Sequence, residues 1–238
     1  METTSGIFLK QIKYQDNVRI LTIFTRKFGK LSFMLYFGNS KKSLAKIKIL
    51  QPLYLLNITF KYRTNFNIHR IHEIALQKPY TTIPYSVKKT AIAFLLAEIL
   101  DKVIFEHYVD EKLYSFLVNS FEFFDLNDKG TQYFHLLFLV KLTKFLGFYP
   151  ENNFSSSYPF FNYKEGKFMA DYSVFSYNKA DSELFNKLLS SDFSDLASFS
   201  CSITERRNLL DSILKFYSYH IENFMPLKSL YVLKRVFE

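Results

Sequence analysis

The chain is poor in cysteine and has no long uncharged apolar segment, the features that form disulfides, metal clusters and membrane spans. It has one cysteine, Cys201, in 238 residues, which excludes an internal disulfide and a cysteine zinc cluster. Its longest apolar stretch, residues 91–105, includes Glu98, Asp101 and Lys102 and is too polar to cross a bilayer. The first residues lack the basic and apolar regions of a secretory signal. These absences predict a cytoplasmic protein without membrane insertion.

Acidic residues are scarce in the first third of the chain. Residues 1–79 contain fourteen lysines and arginines but only Glu2, Asp16 and Glu73 as acids, a net charge of +11. Residues 80–238 contain 17 basic and 19 acidic residues, a net charge of −2. All the excess positive charge therefore lies in the N-terminal third. This asymmetry predicts a polyanionic partner for that segment, nucleic acid before anionic membrane.

The most basic segment, GNSKKSLAKIKIL at residues 38–50, has no acidic residue. It follows the apolar stretch LSFMLYF and opens with turn-forming residues, which predicts an exposed loop. Its GNSKKS resembles a phosphate loop only superficially, because the earlier glycine of a Walker A motif is absent. We therefore predict phosphate contact without nucleotide hydrolysis.

Residues 1–78 have the periodicity of β-strands. In KLSFMLYF, Leu31, Phe33 and Leu35 alternate with the other residues, as in a half-buried strand. Similar segments at about 6–14, 18–24, 54–61 and 66–74 complete a set of five. Five short strands with one long central loop favour a small closed barrel of OB type. Periodicity alone leaves an open sheet as the alternative.

From Pro79 the pattern becomes helical. It predicts a helix from about residue 82 to 106, another after Asp110, and an apolar central helix that ends at Gly147. Residues 150–181 lack periodicity and predict an irregular insertion with a hairpin near 164–166; helices follow near 182, at 204–220 and at 226–237. The predicted fold class is α+β: a barrel domain at 1–79, then an all-α helical domain at 80–238.

The sequence offers no constellation of catalytic or metal-binding residues. The three acids of the basic domain are too widely separated in sequence to predict a nuclease site. His69 and His72 would face opposite sides of a strand, so we interpret them as surface residues. His135 is predicted to be a hydrogen-bonded core residue, and Cys201 has no activating partner in sequence. We predict neither an enzyme nor a cofactor or metal.

Nucleic-acid binding is the function that the basic segment favours. Long cations attract phosphates and release counterions, while exposed aromatic rings stack on bases. Tyr14 is a possible stacking residue. The residues predicted to contact nucleic acid are Arg19, Arg26, Lys27, Lys30, Tyr36, Lys41, Lys42, Lys46 and Lys48.

Several segments together resemble a known family. GIFLKQIKYQDNVRILTIFTRKFGKLSFMLYFGNSKKS, at the start of the chain, is similar to the opening of the RecO family of bacterial recombination mediators, and LQPLYLLNITFKYR at 50–63 is similar to its next strand. The similarity continues into AIAFLLAEILDKVI, LVKLTKFLGFYP and ERRNLLDSILKFYSYHI. KEGKF at 164–168 is typical of the Bacteroidetes branch.

The resemblance implies an N-terminal OB-fold and a helical C-terminal domain, in a cytoplasmic, nucleoid-associated protein. It implies binding of single- and double-stranded DNA, annealing of complementary strands and, with RecR, loading of RecA on DNA coated by single-strand-binding protein (SSB). Many members have a four-cysteine zinc site, which we do not expect here because residues 150–181 contain no cysteine.

The family also contacts the acidic, phenylalanine-ended tail of SSB through the helical domain. Cations are sparse in residues 80–238, and those predicted to contact the tail are Lys141, Lys144, Arg206 and Arg207. Two alternatives stay open: an RNA- or tRNA-binding OB-fold protein without mediator activity, and a membrane-surface or scaffold protein that uses the same basic face.

Overall fold

The computed structural model describes residues 1–237 of the chain, without the side chain of Lys42. Its contacts divide it into a first unit, Met1–Leu126, and a second unit that begins at Asn127. The first unit contains a β-barrel and three α-helices, and the second is mainly helical. The predicted α+β fold, a barrel followed by helices, is confirmed. The domain boundary after residue 79 stays a prediction.

The barrel is closed by five strands: β1 (Glu2–Gln15), β2 (Val18–Thr25), β3 (Gly29–Tyr36), β4 (Leu55–Phe60) and β5 (Ile68–Leu76). Their order around the barrel is β1-β2-β3-β5-β4. Only the β3–β5 pairing is parallel; the four other pairings of this barrel are antiparallel. The inward residues, among them Phe8, Leu21, Phe33 and Phe60, form its core. Closure decides against the open sheet that periodicity left possible.

The basic segment that we predicted as a loop is a helix, α1 (Lys41–Lys48). The side chain of Ser40 caps it by accepting a hydrogen bond from the Ser43 N–H at 3.2 Å. Lysine, leucine and alanine are good helix formers, and Ile49 and Leu50 at its end pack against the barrel core. The turn-forming residues Gly38, Asn39 and Ser40 thus lead into a helix, and the loop prediction was wrong.

Two further helices complete the first unit, α2 (Val87–Val103) and α3 (Glu111–Leu126). The helix predicted from residue 82 begins at Val87, after a short 3₁₀ turn at Ile83–Tyr85. The carboxylate of Asp125 accepts hydrogen bonds from the main-chain N–H groups of Thr81, Thr82 and Ile83 at 2.7–2.9 Å. These bonds hold the segment before α2 against the end of α3.

The second unit contains α4 (Phe134–Leu146), α5 (Lys179–Leu189), α6 (Ile203–His220) and α7 (Lys228–Val236). The apolar helix α4 is buried on most of its surface and ends at Gly147 in the left-handed conformation, φ 83°, as predicted. The predicted hairpin is confirmed as β6 (Phe160–Asn162) paired with β7 (Lys167–Met169). No helix within residues 1–237 has the length and apolar character needed to cross a membrane.

Candidate nucleic-acid interface

Arginine side chains lie over aromatic rings at one end of strands β2, β3 and β5. The guanidinium carbon of Arg70 is 4.9 Å from the centroid of the Tyr36 ring, and that of Arg19 is 5.1 Å from the Phe37 ring. Strand register explains this arrangement, because Arg19 pairs opposite Leu35 and Arg70 opposite Met34. Tyr36 is 48% exposed, so its ring is accessible beside Arg70.

A third pair of the same kind lies in the connection between β4 and β5. The guanidinium carbon of Arg63 is 4.9 Å from the Phe66 ring, which is 48% exposed. OB-folds bind oligonucleotides with strands β2 and β3 and with the β1–β2 and β4–β5 connections. Here β2, β3 and the β4–β5 connection contribute, together with Phe37 after β3 and Arg70 in β5. We name these residues the arginine–aromatic face: Arg19, Tyr36, Phe37, Arg63, Phe66 and Arg70.

The electrostatics of this face favour an anion. Within the described chain, Arg19, Arg63 and Arg70 form no ion pair. A guanidinium over a ring keeps N–H donors at its edge for phosphate, while the exposed ring offers a surface for a base. Each pair therefore places a cation next to a stacking surface. Proteins that bind single-stranded nucleic acid combine these two features.

The lysines of α1 form a second basic surface. Lys41 and Lys48 are exposed, Lys46 is half-buried, and none of the three has an ion-pair partner among the described residues. The side chain of Lys42, the fourth predicted contact, lies outside the described part of the chain. A helix with cations and no acids can bind phosphates at several points along a strand.

The structure corrects the prediction for Lys30. This residue is only 9% exposed, and its Nζ donates a 2.6 Å hydrogen bond to the main-chain carbonyl of Asp101 in α2. Burial lowers the pKa of the Lys30 ammonium, while the nearby Asp101 carboxylate opposes that shift. Its cation contacts the interior of the unit, so it is not placed to contact a phosphate.

Arg26 and Lys27 are exposed but already have partners. Arg26 donates through Nε and Nη2 to the carboxylate of Glu111 at 2.6–3.0 Å, which compensates its charge. Lys27 Nζ donates to the Thr3 carbonyl at 3.1 Å. Arg26 would have to leave Glu111 to bind a phosphate through the same donors.

The prediction that both histidines of β5 lie on the surface is wrong for His69. It is buried in the barrel, and its ring stacks on Tyr62 with centroids 5.2 Å apart. Burial lowers the pKa of this imidazole. His72 is exposed, as strand alternation requires of a position three residues away. No group of three or more potential metal ligands occurs among the described residues.

A separate cavity in the second unit contains two of the residues predicted to bind the SSB tail. Arg206 and Arg207 line it together with His135, Leu210, Leu233 and Phe237. The guanidinium carbon of Arg206 is 4.6 Å from the Phe237 ring. The buried Nε of Arg207 and Nδ1 of His135 have no hydrogen-bond partner among residues 1–237. We name this cavity the arginine pocket.

The arginine pocket is small, with a volume of about 20 Å³, but its lining is cationic and apolar, which favours an anionic group at its mouth. Its wall also includes Lys234, which pairs with Asp211 at 2.8 Å, and no acid lines it. An unpartnered buried donor such as Arg207 Nε gains most from a charged acceptor. Burial lowers the pKa of His135 to about 3 and that of Arg206 below its usual value. His135 was predicted as a hydrogen-bonded core residue; it is buried, and its Nδ1 has no hydrogen-bond partner among the described residues.

The other two residues predicted for the tail do not line the arginine pocket. Lys141 pairs with Asp192 at 2.9 Å, and this contact lowers the pKa of the Asp192 carboxyl. Lys144 Nζ lies 4.5 Å from the centroid of the Tyr149 ring. The structure therefore brings together Arg206 and Arg207 and leaves Lys141 and Lys144 elsewhere.

The sequence analysis predicted Arg19 and Tyr36 but missed the four other residues of the arginine–aromatic face. Phe37 ends an apolar stretch, and Arg63, Phe66 and Arg70 lie outside the basic segment at residues 38–50. The arginines of β5 and of the connection before it were available signals, because the OB-fold places that connection beside strands β2 and β3. Lys234 was missed because the packing of α7 against α6, which brings it to Arg206 and Arg207, is not visible in the sequence.

Comparison with known proteins covers nearly the whole chain. The family model described as Recombination protein O N terminal matches residues 1–80, and that described as Recombination protein O C terminal matches residues 85–230. The "DNA repair protein RecO" of Flavobacterium psychrophilum is 34% identical over 235 residues, 98% of both chains. That of Bacteroides fragilis is 33% identical over 241 residues, 100% of both chains. That of Phocaeicola vulgatus is 31% identical over 239 residues, 100% of this chain and 99% of the relative. The matches extend over nearly the whole length, and a closed basic barrel precedes a helical unit along the sequence. The chain therefore belongs to the RecO family of DNA repair proteins.

Proposed function

We propose that this protein is a recombination mediator that binds single- and double-stranded DNA with its barrel. In this proposal it anneals complementary strands and, with RecR, helps load RecA on DNA coated by SSB. It acts in the cytoplasm, at the nucleoid, by binding and not by catalysis. The observation that carries the proposal is the arginine–aromatic face, where Arg70 lies 4.9 Å from the exposed ring of Tyr36.

Strand annealing follows physically from such a surface. Two complementary strands repel each other through their phosphates, and cations that neutralise several phosphates lower this repulsion. Rings such as Tyr36 and Phe66 hold bases unpaired and unstacked from their neighbours, which leaves them ready to pair. The net charge of +11 in residues 1–79 supplies the required excess of cations.

The arginine pocket supports the proposed contact with the SSB tail. A peptide that is acidic and ends in phenylalanine offers a terminal carboxylate and a ring. Arg206 and Arg207 would pair with the carboxylate, while the ring would lie outside the cavity, whose volume of about 20 Å³ is too small to admit it. We propose these two arginines, and not Lys141 or Lys144, as the cations that bind the tail.

Annealing of complementary oligonucleotides, naked or coated with SSB, tests the proposal. We expect the protein to accelerate annealing in both cases, and Tyr36→Ala with Arg70→Gln to reduce the rate on naked DNA at least tenfold. Tyr172→Ala, which removes a ring that is 63% exposed in the second unit, is the control and should anneal normally. Wild-type protein that binds RNA but neither binds nor anneals DNA would refute the proposal in favour of an RNA-binding protein.

A further inference from the structure

A second cavity lies within the first unit, where the end of α1, the start of β4 and the start of α2 meet. Its volume is about 280 Å³, near the lower end of the ~300–1,000 Å³ that small-molecule sites occupy. The residues that matter for the argument are Lys48, Gln51, Tyr54, Thr90 and Phe94. We name it the Phe94 pocket. Neither the arginine–aromatic face nor the arginine pocket shares a residue with it.

Three polar side chains of the Phe94 pocket have no hydrogen-bond or ion-pair partner in the described part of the chain. The Lys48 ammonium, the Gln51 amide and the Tyr54 hydroxyl make no hydrogen bond or ion pair with any described residue. Thr90 differs, because its hydroxyl donates to the Ile83 carbonyl at 2.7 Å. Burial raises the pKa of the Tyr54 phenol, so this group stays a hydrogen-bond donor at neutral pH.

The pocket also exposes an aromatic ring on a helix that is otherwise largely buried. Phe94 is 47% exposed, whereas Ala93 and Leu95 beside it in α2 are at most 2% exposed. The Tyr54 ring is fixed by an edge-on contact with Tyr80, with centroids 5.5 Å apart and an interplanar angle of 84°. A rigid wall, an open ring and three unpartnered polar groups are thus combined in one cavity.

We infer that the Phe94 pocket binds one unstacked nucleotide of a single DNA strand. The inference rests on the proposed DNA binding. The base would stack on Phe94, the Gln51 amide and the Tyr54 hydroxyl would bind its edge, and the Lys48 ammonium would bind its phosphate. An amide both donates and accepts hydrogen bonds, as base edges do, and Lys48 is the only charged residue of the lining.

The position of Lys48 connects this pocket to the basic helix. Lys41, Lys46 and Lys48 all belong to α1, so a strand whose phosphates follow this helix reaches the pocket at its end. A base inside a duplex is paired and stacked and cannot enter a pocket of this kind without being extruded. The Phe94 pocket therefore makes the protein bind single strands more tightly than duplexes.

The test measures the affinity of the full chain for a single-stranded oligonucleotide and for the matching duplex. Loss of one base–aromatic stack corresponds to ~1–3 kcal/mol, so we expect Phe94→Ala to weaken single-strand binding about 5- to 150-fold. Gln51→Ala should weaken it by a smaller factor, and duplex binding should stay within about twofold in both variants. Phe105→Ala is the matched control, because Phe105 is 76% exposed in the same unit and lies outside the pocket.

Photo-crosslinking gives a second readout that does not depend on a variant. A single strand that carries 5-iodouracil should form adducts with Tyr54 or Phe94, identified by mass spectrometry, and the duplex should not. If wild-type protein binds single strands but forms no such adduct and Phe94→Ala binds normally, the inference is wrong and the proposed function stands. Loss of RecR binding in Phe94→Ala with intact DNA binding would show a protein-docking pocket and also overturn the inference. Wild-type protein without DNA affinity would refute both.

Discussion

The Nζ of Lys30 in β3 donates a hydrogen bond of 2.6 Å to the main-chain carbonyl of Asp101 in α2. The two residues are 71 positions apart, and the bond fastens the barrel to the first long helix of its unit. A lysine in the most basic part of the chain thus has a structural role.

We expect Lys30→Ala to lower stability without changing DNA binding by the folded protein. The change removes a charged donor from a largely buried carbonyl, which corresponds to a loss of ~1–3 kcal/mol in the free energy of unfolding. Urea unfolding measures this loss, with the exposed Lys27→Ala as control. A salt dependence of DNA binding that became shallower in Lys30→Ala would show that Lys30 contacts phosphate after all.

The lysines of α1 should determine how strongly DNA binding depends on salt. Replacement of Lys41, Lys46 and Lys48 by alanine should reduce the slope of log affinity against log salt by ~0.7–0.9 for each lost phosphate contact. The effect should be about equal for all sequences, because phosphates carry no sequence information. Fluorescence anisotropy at four or more salt concentrations measures the slope.

The control for that experiment is a triple alanine variant of exposed lysines in the second unit, Lys179, Lys187 and Lys215. It changes the net charge by the same amount and should leave the slope unchanged. Equal effects of both triple variants would mean that overall charge, and not α1, determines the binding.

Charge reversal in the arginine pocket should abolish binding of the SSB tail. We expect Arg206→Glu and Arg207→Glu each to weaken binding of an acidic, phenylalanine-ended peptide more than tenfold, because a carboxylate would meet a like charge in a partly buried site. Lys144→Glu is the matched control. Calorimetry on the full chain measures the affinity, and equal binding by all three variants would exclude the arginine pocket as the tail site.

His135 should make the second unit sensitive to acid. Burial lowers its pKa to about 3, whereas an unfolded histidine titrates near 6.5. Between these two values the unfolded state binds one more proton than the folded state, so stability falls as pH falls. Between pH 7 and pH 5 we expect wild-type protein to lose about 2 kcal/mol more than His135→Gln. Urea unfolding at both pH values measures the difference, and identical losses would contradict the prediction.

Local patterns of the sequence predicted most of the secondary structure. Alternation in KLSFMLYF indicated β3, and Gly147 marked the end of α4, because each signal depends on neighbours only a few residues away. The segment at 38–50 was wrongly predicted as a loop because its first residues occur both in turns and at helix N-termini. The hydrogen bond from the Ser43 N–H to the Ser40 side chain shows that these residues cap a helix. The sequence alone does not show whether this bond forms.

The site was predicted less well because charges acquire their roles through distant partners. Arg26 and Glu111 are 85 residues apart, and nothing local to either one reveals their ion pair. The parallel pairing of β3 with β5, which places Arg70 beside Tyr36, is equally non-local. Composition could therefore indicate that the barrel is basic, but not which cations remain available.

The pairing of each arginine of the face with its own ring also bears on how a strand would leave this surface. A base that stacks on the exposed part of the Tyr36 ring would lie beside Arg70, whose N–H groups would then be close to the phosphate of the same nucleotide. Because the arginine stays over the ring with or without a base, the protein surface would change little when the base departs. In the proposed DNA complex each nucleotide would therefore leave its own arginine–ring pair without rearrangement of the neighbouring pairs.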